Sequence, residues 1–239
     1  MEIKISKRLE TIASMVPKSV VADIGSDHGK LMIELFNSGK ITKGYAVENK
    51  KGPYNRLVKA LEEEGIIDHV IPMLSDGITE LPKCVTTVVI AGMGGKAIVN
   101  ILKKDLRKLD NVQTLVIDAH SCIPYLRDEV SKIGYSISDE QIIKEDGIFY
   151  EIIRFTKSDV AFYSDDDIEF GPILRKEKSA LFKEKYQSRI DEIDNLISSK
   201  KLPYSRIEIL TAEKTKLENI LWLKWRRFCK NFQSIFLKD

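Results

Sequence analysis

Short apolar runs alternate with amphipathic stretches of helical length as far as about residue 155. The runs "SVVADI", "GYAVE", "HVIPML", "TTVVIAG" and "TLVIDA" are apolar at successive positions, the pattern of strands covered on both faces. Between them, "GKLMIELFNSG", "GPYNRLVKALEEEG", "GGKAIVNILKKDL" and "PYLRDEVSKIG" carry apolar residues at helical spacing, and several stop at glycine, where helices commonly end. An amphipathic opening segment with Leu9, Ile12, Ala13 and Val16 precedes Pro17. Regular alternation of strand and helix predicts parallel strands joined by helical crossovers. At "YSISDEQIIKEDGIFYEIIRF" the rhythm changes: two strand-like segments flank the turn signal "KEDG" and predict a terminal antiparallel hairpin. The expected fold is therefore α/β, a mostly parallel Rossmann-like sheet ending in an antiparallel hairpin over residues 1–157.

An acidic run and Gly171-Pro172 in "TKSDVAFYSDDDIEFGP" read as an exposed connection over 158–172. Beyond it, two long helical stretches flank "SSKKLPYS". Tyr186, Ile190, Ile193 and Ile197 in the first, with Ile207, Leu210, Leu217 and Leu221 in the second, approximate a coiled-coil seam that Lys214 interrupts. Two such stripes bury each other as an antiparallel helical hairpin, predicted over 173–225. The basic, aromatic tail 226–239 fits an extended helix, a surface-binding tail or a non-native extension equally well.

Length and composition narrow the class. A chain of 239 residues exceeds the usual ~100–200 of one domain, and its 43% hydrophobic and 31% charged residues are ordinary for a globular protein. The opening "MEIKISKRLE" lacks the continuous apolar core of a signal peptide, and no run approaches the ~18 apolar residues of a membrane span, so the expected location is cytoplasmic. Cys84, Cys122 and Cys229 are odd in number and form no CxxC pair, which argues against a disulfide framework or a structural zinc site. His69 and His120 show no ligand-type spacing, and no metal is expected. Charge is unevenly spread: residues 171–239 hold 16 Lys+Arg against 9 Asp+Glu, the rest 22 against 27. A basic C-terminal part suggests contact with a polyanion, the competing account being a solvated lysine-rich surface.

The stretch "VVADIGSDHGKL" carries the chemistry. A dinucleotide turn needs a second glycine for the pyrophosphate, and Asp27 stands in that place. What is left, Asp23-x-Gly25-x-x-x-Gly29, suits a nucleoside ligand without a pyrophosphate, such as S-adenosylmethionine. Asp23 can meet its cationic portions, Glu48 at the end of the second strand can accept from the ribose hydroxyls, and Asp76-Gly77 after the third can reach the adenine amine. Ser26, Asn49, Ala91 and Gly92 adjoin these positions and complete the expected donor site. Each acid alone is equally well a helix cap or turn residue; their recurrence at successive strand ends is what points to a ligand.

Together with "ENKKGPYNRLVKAL", "SDGI", "VVIAGMGGKAI", "EDGIFYEI" and "FGPILRKEKSALFKEK", the segment "SKRLETIASMVPKSVVADIGSDHGKL" resembles the TrmK family of tRNA (adenine-N1)-methyltransferases, which methylate adenine 22 of bacterial tRNA. The resemblance runs from residue 6 to about 220. It implies a class I Rossmann-like methyltransferase domain, a C-terminal coiled-coil domain, and S-adenosyl-L-methionine held by Asp23, Gly25, Glu48, Asp76 and Gly77. The chain departs from the family where Asp27-His28-Gly29-Lys30-Leu31-Met32 replaces Asp-His-Ala-Tyr-Leu-Pro, and where Asp118-Ala119-His120 replaces a Gln-Pro-Asn type segment.

Methylation at N1 uses an available lone pair and needs no strong general base, so positioning dominates. Asp27 is the candidate to accept a hydrogen bond from the adenine N6 amine, and His28 to orient base or phosphate. The fourth strand ends in Ala91-Gly92-Met93-Gly94-Gly95, with no aromatic clamp; its glycines serve either a tight helix entry or space for the incoming base. Lys7, Arg8, Met93, Gly94 and Gly95 are expected on the substrate side, and Arg175, Lys176, Lys178, Lys183 and Lys185 on the tRNA backbone. Donor and by-product are S-adenosylmethionine and S-adenosylhomocysteine; the helical hairpin has oligomerisation as its alternative role, a monomer being the expectation. A small-molecule methyltransferase, a nicotinamide oxidoreductase lacking its pyrophosphate glycines, and a non-catalytic RNA-binding module are the competing accounts.

Overall fold

The computed structural model describes the backbone of residues 5–159, 162–199 and 202–233, with side chains as far as residue 221. It divides into two compact units, residues 1–173 and 174–239. The tail reading for 226–239 concerns side chains outside the described residues.

In the first unit, seven strands form one sheet in the order β3-β2-β1-β4-β5-β7-β6. Strands β1 (Val21–Ile24), β2 (Gly44–Glu48), β3 (Val70–Leu74), β4 (Thr87–Met93) and β5 (Thr114–Ala119) run parallel. The hairpin of β6 (Tyr135–Glu145) and β7 (Ile148–Lys157) adds antiparallel pairing, with β7 against β5. Its turn uses Asp146 and Gly147 at φ 49° and 79°, the left-handed pair that matches strand twist in a two-residue loop. Strand order reverses between β1 and β4, and ligands of such sheets bind outside the carboxyl ends of the strands at that switch.

Helices cover both faces because the strands are apolar on both. On one face Val21, Ala46, Val89 and Val116 meet Ile12 and Met15 of α1 (Lys7–Met15), Leu31 and Leu35 of α2 (Lys30–Asn37), and Leu57 and Leu61 of α3 (Lys51–Glu63). On the other, Ala22, Ile90, Leu115 and Ile117 meet Ile98 and Leu102 of α4 (Gly95–Lys103) and Leu126 and Val130 of α5 (Ile123–Lys132). Each fully buried valine, leucine, isoleucine or methionine side chain among them contributes roughly 1.5–3 kcal/mol. The end of α1 is fixed by Lys40, whose ammonium donates to the carbonyls of Ala13, Ser14 and Val16 at 2.6, 2.9 and 2.9 Å. This anchoring matters because α1 also carries Arg8.

The segment read as an exposed connection belongs instead, from residue 162 to 173, to the first unit. Ser164 and Asp167 form a reciprocal capping box that starts α6 (Asp165–Phe170), and Phe170 is buried. Its carbonyls at Ile168 and Glu169 accept from Arg127 Nη1 at 3.2 and 3.3 Å. Arg127 in turn donates to Glu140 at 2.8 Å and Glu151 at 2.6 Å, all three side chains being buried. The acidic run caps a helix, where its composition alone reads as solvated polarity.

In the second unit a short α7 (Leu174–Glu177) precedes α8 (Ala180–Ser198) and α9 (Tyr204–Gln233), the helical hairpin anticipated from the heptad-like spacing. Tyr186, Ile190 and Ile193 are buried, as are Leu210, Leu217, Ile220 and Leu221. Lys214 interrupts the stripe by pairing across the hairpin with Asp194 at 2.5 Å, and Arg189 pairs with Glu213 at 2.7 Å.

Candidate active site

The turn after β1 is built on backbone. Gly25 adopts φ 82°, open to glycine at low cost, and its amide donates to the Val47 carbonyl at 2.8 Å. A Cβ there would meet the Met93 methyl at 2.4 Å. Asp27, also left-handed at φ 47°, donates its amide to Glu48 Oε1 at 2.5 Å. Ser26 Oγ donates to Asp23 Oδ2 at 2.6 Å.

Asp23 and Glu48 are buried neighbours at the ends of adjacent strands. Burial pushes the Asp23 carboxyl up to about 6; the Ser26 hydrogen bond opposes this and the Glu48 charge adds to it. Asp76 follows β3, next in the sheet, but is exposed and ion-paired with Lys104. Gly77 beside it is buried, and Asn49 is exposed. The structure thus sets Asp23, Glu48 and Asp76 along one rim.

A cavity of about 180 Å³ opens at this rim, lined by Arg8, Leu9, Asp23, Gly25, Ser26, Asp27, His28, Lys30, Leu31 and Ala91. Its floor is anionic at Asp23 and its walls carry cations at Arg8 and Lys30. A carboxylate whose ionised form burial disfavours suits a cationic ligand group, which offsets that penalty. Asp27 and His28 flank the mouth, 3.7 Å apart; the Asp27 carboxylate also meets Arg56 Nη2 of α3 at 3.1 Å. Lys7 is exposed at the start of α1.

The glycines after β4 divide their work. A Cβ on Gly95 would strike the carbonyl oxygens of Ser121 and Cys122 at 2.7 and 2.8 Å, so this glycine lets α4 start against the next loop. Gly94 meets Ser121 Oγ at 3.1 Å. Gly92, at φ 78°, faces only His120 Nε2 at 3.9 Å, so space opens above it. Of the two meanings weighed for these glycines, helix entry describes Gly95 and free space describes Gly92.

Next to Gly92 stands a cluster that joins Arg8, expected on the substrate side, to Asp118, His120 and Tyr150, to which sequence reasoning assigns no role. Arg8 Nη1 donates to His120 Nε2 at 2.9 Å, lies 3.4 Å from Asp118 Oδ2, and sits 5.2 Å from the centre of the Tyr150 ring. Tyr150 and His120 meet edge to face at 5.8 Å. Asp118 is fully buried, and among the described residues neither carboxylate oxygen has a hydrogen-bond partner of good geometry. Burial raises its pKa, opposed by the charges of Arg8 and His120 and by the looser Gly92 amide. Lys104 and Arg56 also escape sequence reasoning, since nothing in local spacing ties them to Asp76 or Asp27.

In the second unit, Lys176 and Lys183 are exposed and Arg175, Lys178 and Lys185 partly so, with Lys185 Nζ 5.2 Å from the Tyr186 ring centre. Among the described residues no cluster of His, Cys, Asp and Glu is arranged to hold a metal ion, and no helix is long and apolar enough to cross a membrane.

Comparison with known proteins places this geometry. A profile of the TrmK family, described as tRNA (adenine(22)-N(1))-methyltransferase, matches residues 21–221. The tRNA (adenine(22)-N(1))-methyltransferase of Bacillus subtilis (strain 168) is 31% identical over 208 residues, which span 82% of this chain and 85% of that protein. Streptococcus pneumoniae Sp1610 in complex with S-adenosyl-L-methionine superposes with a TM-score of 0.83 at 32% identity, covering 91% of this chain and 100% of that one. The Mycoplasma capricolum TrmK complex with S-adenosyl-homocysteine gives 0.80 at 25% identity, covering 91% and 97%. A sheet whose acidic rim lacks pyrophosphate glycines, joined to a helical hairpin and matched along most of its length, makes this chain a member of the TrmK family of tRNA (adenine(22)-N(1))-methyltransferases.

Proposed function

We propose that the chain transfers the methyl group of S-adenosylmethionine to N1 of adenine 22 in tRNA. The single observation that carries the residue-level account is the buried pair of Asp23, which lines the cavity beside the switch point, and Glu48, which closes the next strand and holds the turn, with Asp27 standing where a pyrophosphate glycine would be. Asp23 faces the cationic amino-acid and sulfonium portions. Glu48 accepts from the ribose hydroxyls while fixing the Asp27 amide, and Asp76-Gly77 borders the adenine. Ser26 holds Asp23 in place, and Ala91 and Gly92 leave the side of the donor clear. Asp27 and His28 border the entrance, where the Asp27–Arg56 pair steadies the turn.

S-adenosylmethionine supplies an activated methyl group when bound. The adenine N1 lone pair then forms the new bond as the carbon–sulfur bond breaks; the sulfur keeps that electron pair, S-adenosylhomocysteine leaves, and the ring carries the positive charge. The protein's task is alignment, worth on the order of 7–11 kcal/mol in well-oriented systems. N1 lies on the Watson–Crick edge, so the base must be unpaired or extruded first. Lys7, Arg8 and the Met93-Gly94-Gly95 turn lie on the acceptor side. Arg175, Lys176, Lys178, Lys183 and Lys185 contact tRNA phosphates, which position without specifying sequence. We place the protein in the cytoplasm, acting as a monomer.

Titration of the purified protein with S-adenosylmethionine and with NAD, followed by transfer of labelled methyl to unmodified tRNA transcripts, tests this. Saturable binding of the first alone, with label recovered as 1-methyladenosine, is expected. Binding without transfer would mark a non-catalytic RNA-binding protein, and transfer only to small molecules would remove tRNA from the account.

A further inference from the structure

Amino-directed methyltransferases that carry an Asn/Asp-Pro-Pro-aromatic motif place, at the end of the fourth strand, a polar group for the exocyclic amine and a ring for the base. Here that strand ends in Ala91-Gly92-Met93-Gly94 and offers neither. The neighbouring strand offers both. Ala91 is the direct register partner of Asp118, so the two side chains share one sheet face. Among the described residues Asp118 is buried with no hydrogen-bond partner of good geometry, Arg8 Nη1 standing 3.4 Å off, and a carboxylate so placed is costly unless some group completes it. Above Gly92 the space is bounded by His120, whose ring meets Tyr150 edge on. All of this adjoins the wall formed by Arg8 and Ala91, two residues of the donor cavity.

We propose that the target adenine lies over Gly92 and donates its N6 hydrogen to Asp118, with the His120 and Tyr150 rings as the wall beside the base. The inference rests on the methyl-transfer reading above and names its acceptor site. It moves the amine contact from Asp27, whose carboxylate is engaged by Arg56, to Asp118. In the unliganded arrangement Arg8 and His120 cover Asp118; their side chains are 24% and 45% exposed, so the base enters by exchanging these surface contacts and not by opening the core. A carboxylate bonded to the amine also offsets the positive charge that the ring gains on methylation.

The test uses tRNA transcripts carrying adenosine or purine riboside, which lacks the N6 amine, at position 22, in single-turnover reactions at saturating donor. Asp118→Ala is expected to slow methylation of the adenosine transcript roughly ten- to hundredfold, and to add no further loss on the purine transcript. Asp118→Asn, whose amide oxygen still accepts, loses less, and donor affinity is unchanged in both. Equal added losses on the two transcripts, an unimpaired Asp118→Ala, or this coupling appearing in Asp27→Ala instead would overturn the proposal. Should Asp118→Ala not fold, the near-isosteric Asp118→Asn and the surface variant His120→Ala decide: an uncoupled Asp118→Asn, or a His120→Ala of full rate, overturns it as well. If wild type methylates neither transcript, the methyl-transfer reading falls, and this inference with it.

Discussion

The backbone amide of Asp27 donates to the carboxylate of Glu48, so a side chain closing β2 holds the turn that follows β1. One oxygen is thereby committed to the protein, and in the proposed donor site the ribose shares the group. On that reading Glu48→Ala removes the ribose contact and the support of the turn together. Donor affinity is expected to fall by roughly ten- to hundredfold, the worth of hydrogen bonds to a charged group, while tRNA affinity is unchanged. Calorimetric titration of each ligand checks this; equal loss of both would mean that the turn has collapsed.

Asp23 gives a pH dependence with a definite sign. Its carboxyl is raised from 3.8 to about 6 in the folded protein. Below 3.8 it is protonated in both folded and unfolded chains and carries no penalty. As pH rises from there to about 6 the unfolded chain ionises first, stability falls, and above that window the full cost of about 3 kcal/mol is present. Asp23→Asn is therefore expected to unfold at higher denaturant than wild type at neutral pH, the difference vanishing near pH 4, while losing donor binding. A neutral-pH stability below wild type would contradict this.

In the proposed site the same group sets the pH dependence of donor binding in wild type. A cationic ligand favours the ionised carboxylate, so donor affinity is expected to drop about tenfold between pH 7 and pH 5, following ionisation near 6. A flat profile over that range would remove Asp23 from the site.

Arg127 sits between Glu140 and Glu151 with almost no solvent access to any of the three. Arg127→Ala removes the guanidinium from between two buried carboxylates, and is expected to cost about 3–5 kcal/mol. Replacing all three with apolar residues of similar volume should recover most of it, because the desolvation of the charges is then avoided. Thermal unfolding of both variants distinguishes this network from a surface ion pair, whose removal would be barely measurable.

The alternation of "SVVADI", "GYAVE" and "TLVIDA" with amphipathic stretches makes the parallel sheet legible, because crossover helices leave buried strands no other composition. "KEDG" announces the hairpin turn for an equally local reason: Asp146 and Gly147 take the left-handed angles it requires. The acidic rim is legible since its carboxylates recur at successive strand ends. The cluster around Arg8 is not. Arg8, Asp118 and Tyr150 lie on α1, β5 and β7, and only the fold joins the other two to the arginine expected on the substrate side. A signal does exist in "TLVIDA", where a carboxylate stands next to the end of an otherwise uncharged strand. The run "SDDDIEF" misleads because helix capping and solvated charge draw on the same residues.

The second unit's basic residues predict a salt-dependent grip. Substituting Lys176 and Lys183, both exposed, with glutamine should weaken tRNA binding uniformly across tRNA sequences and lower the slope of log affinity against log salt by roughly one for each phosphate no longer neutralised. Filter binding over a salt series measures it. An unchanged slope would leave these lysines as solvated surface.

The most direct test of the whole account compares two transcripts of one tRNA, differing only in adenosine or guanosine at position 22, incubated with protein and S-adenosylmethionine and mapped by nucleoside analysis and reverse-transcription arrest. One methyl group at N1 of adenine 22, absent from the guanosine transcript and abolished by Glu48→Ala at limiting donor, is the result expected. Methylation at another position, or equal label in both transcripts, would contradict it.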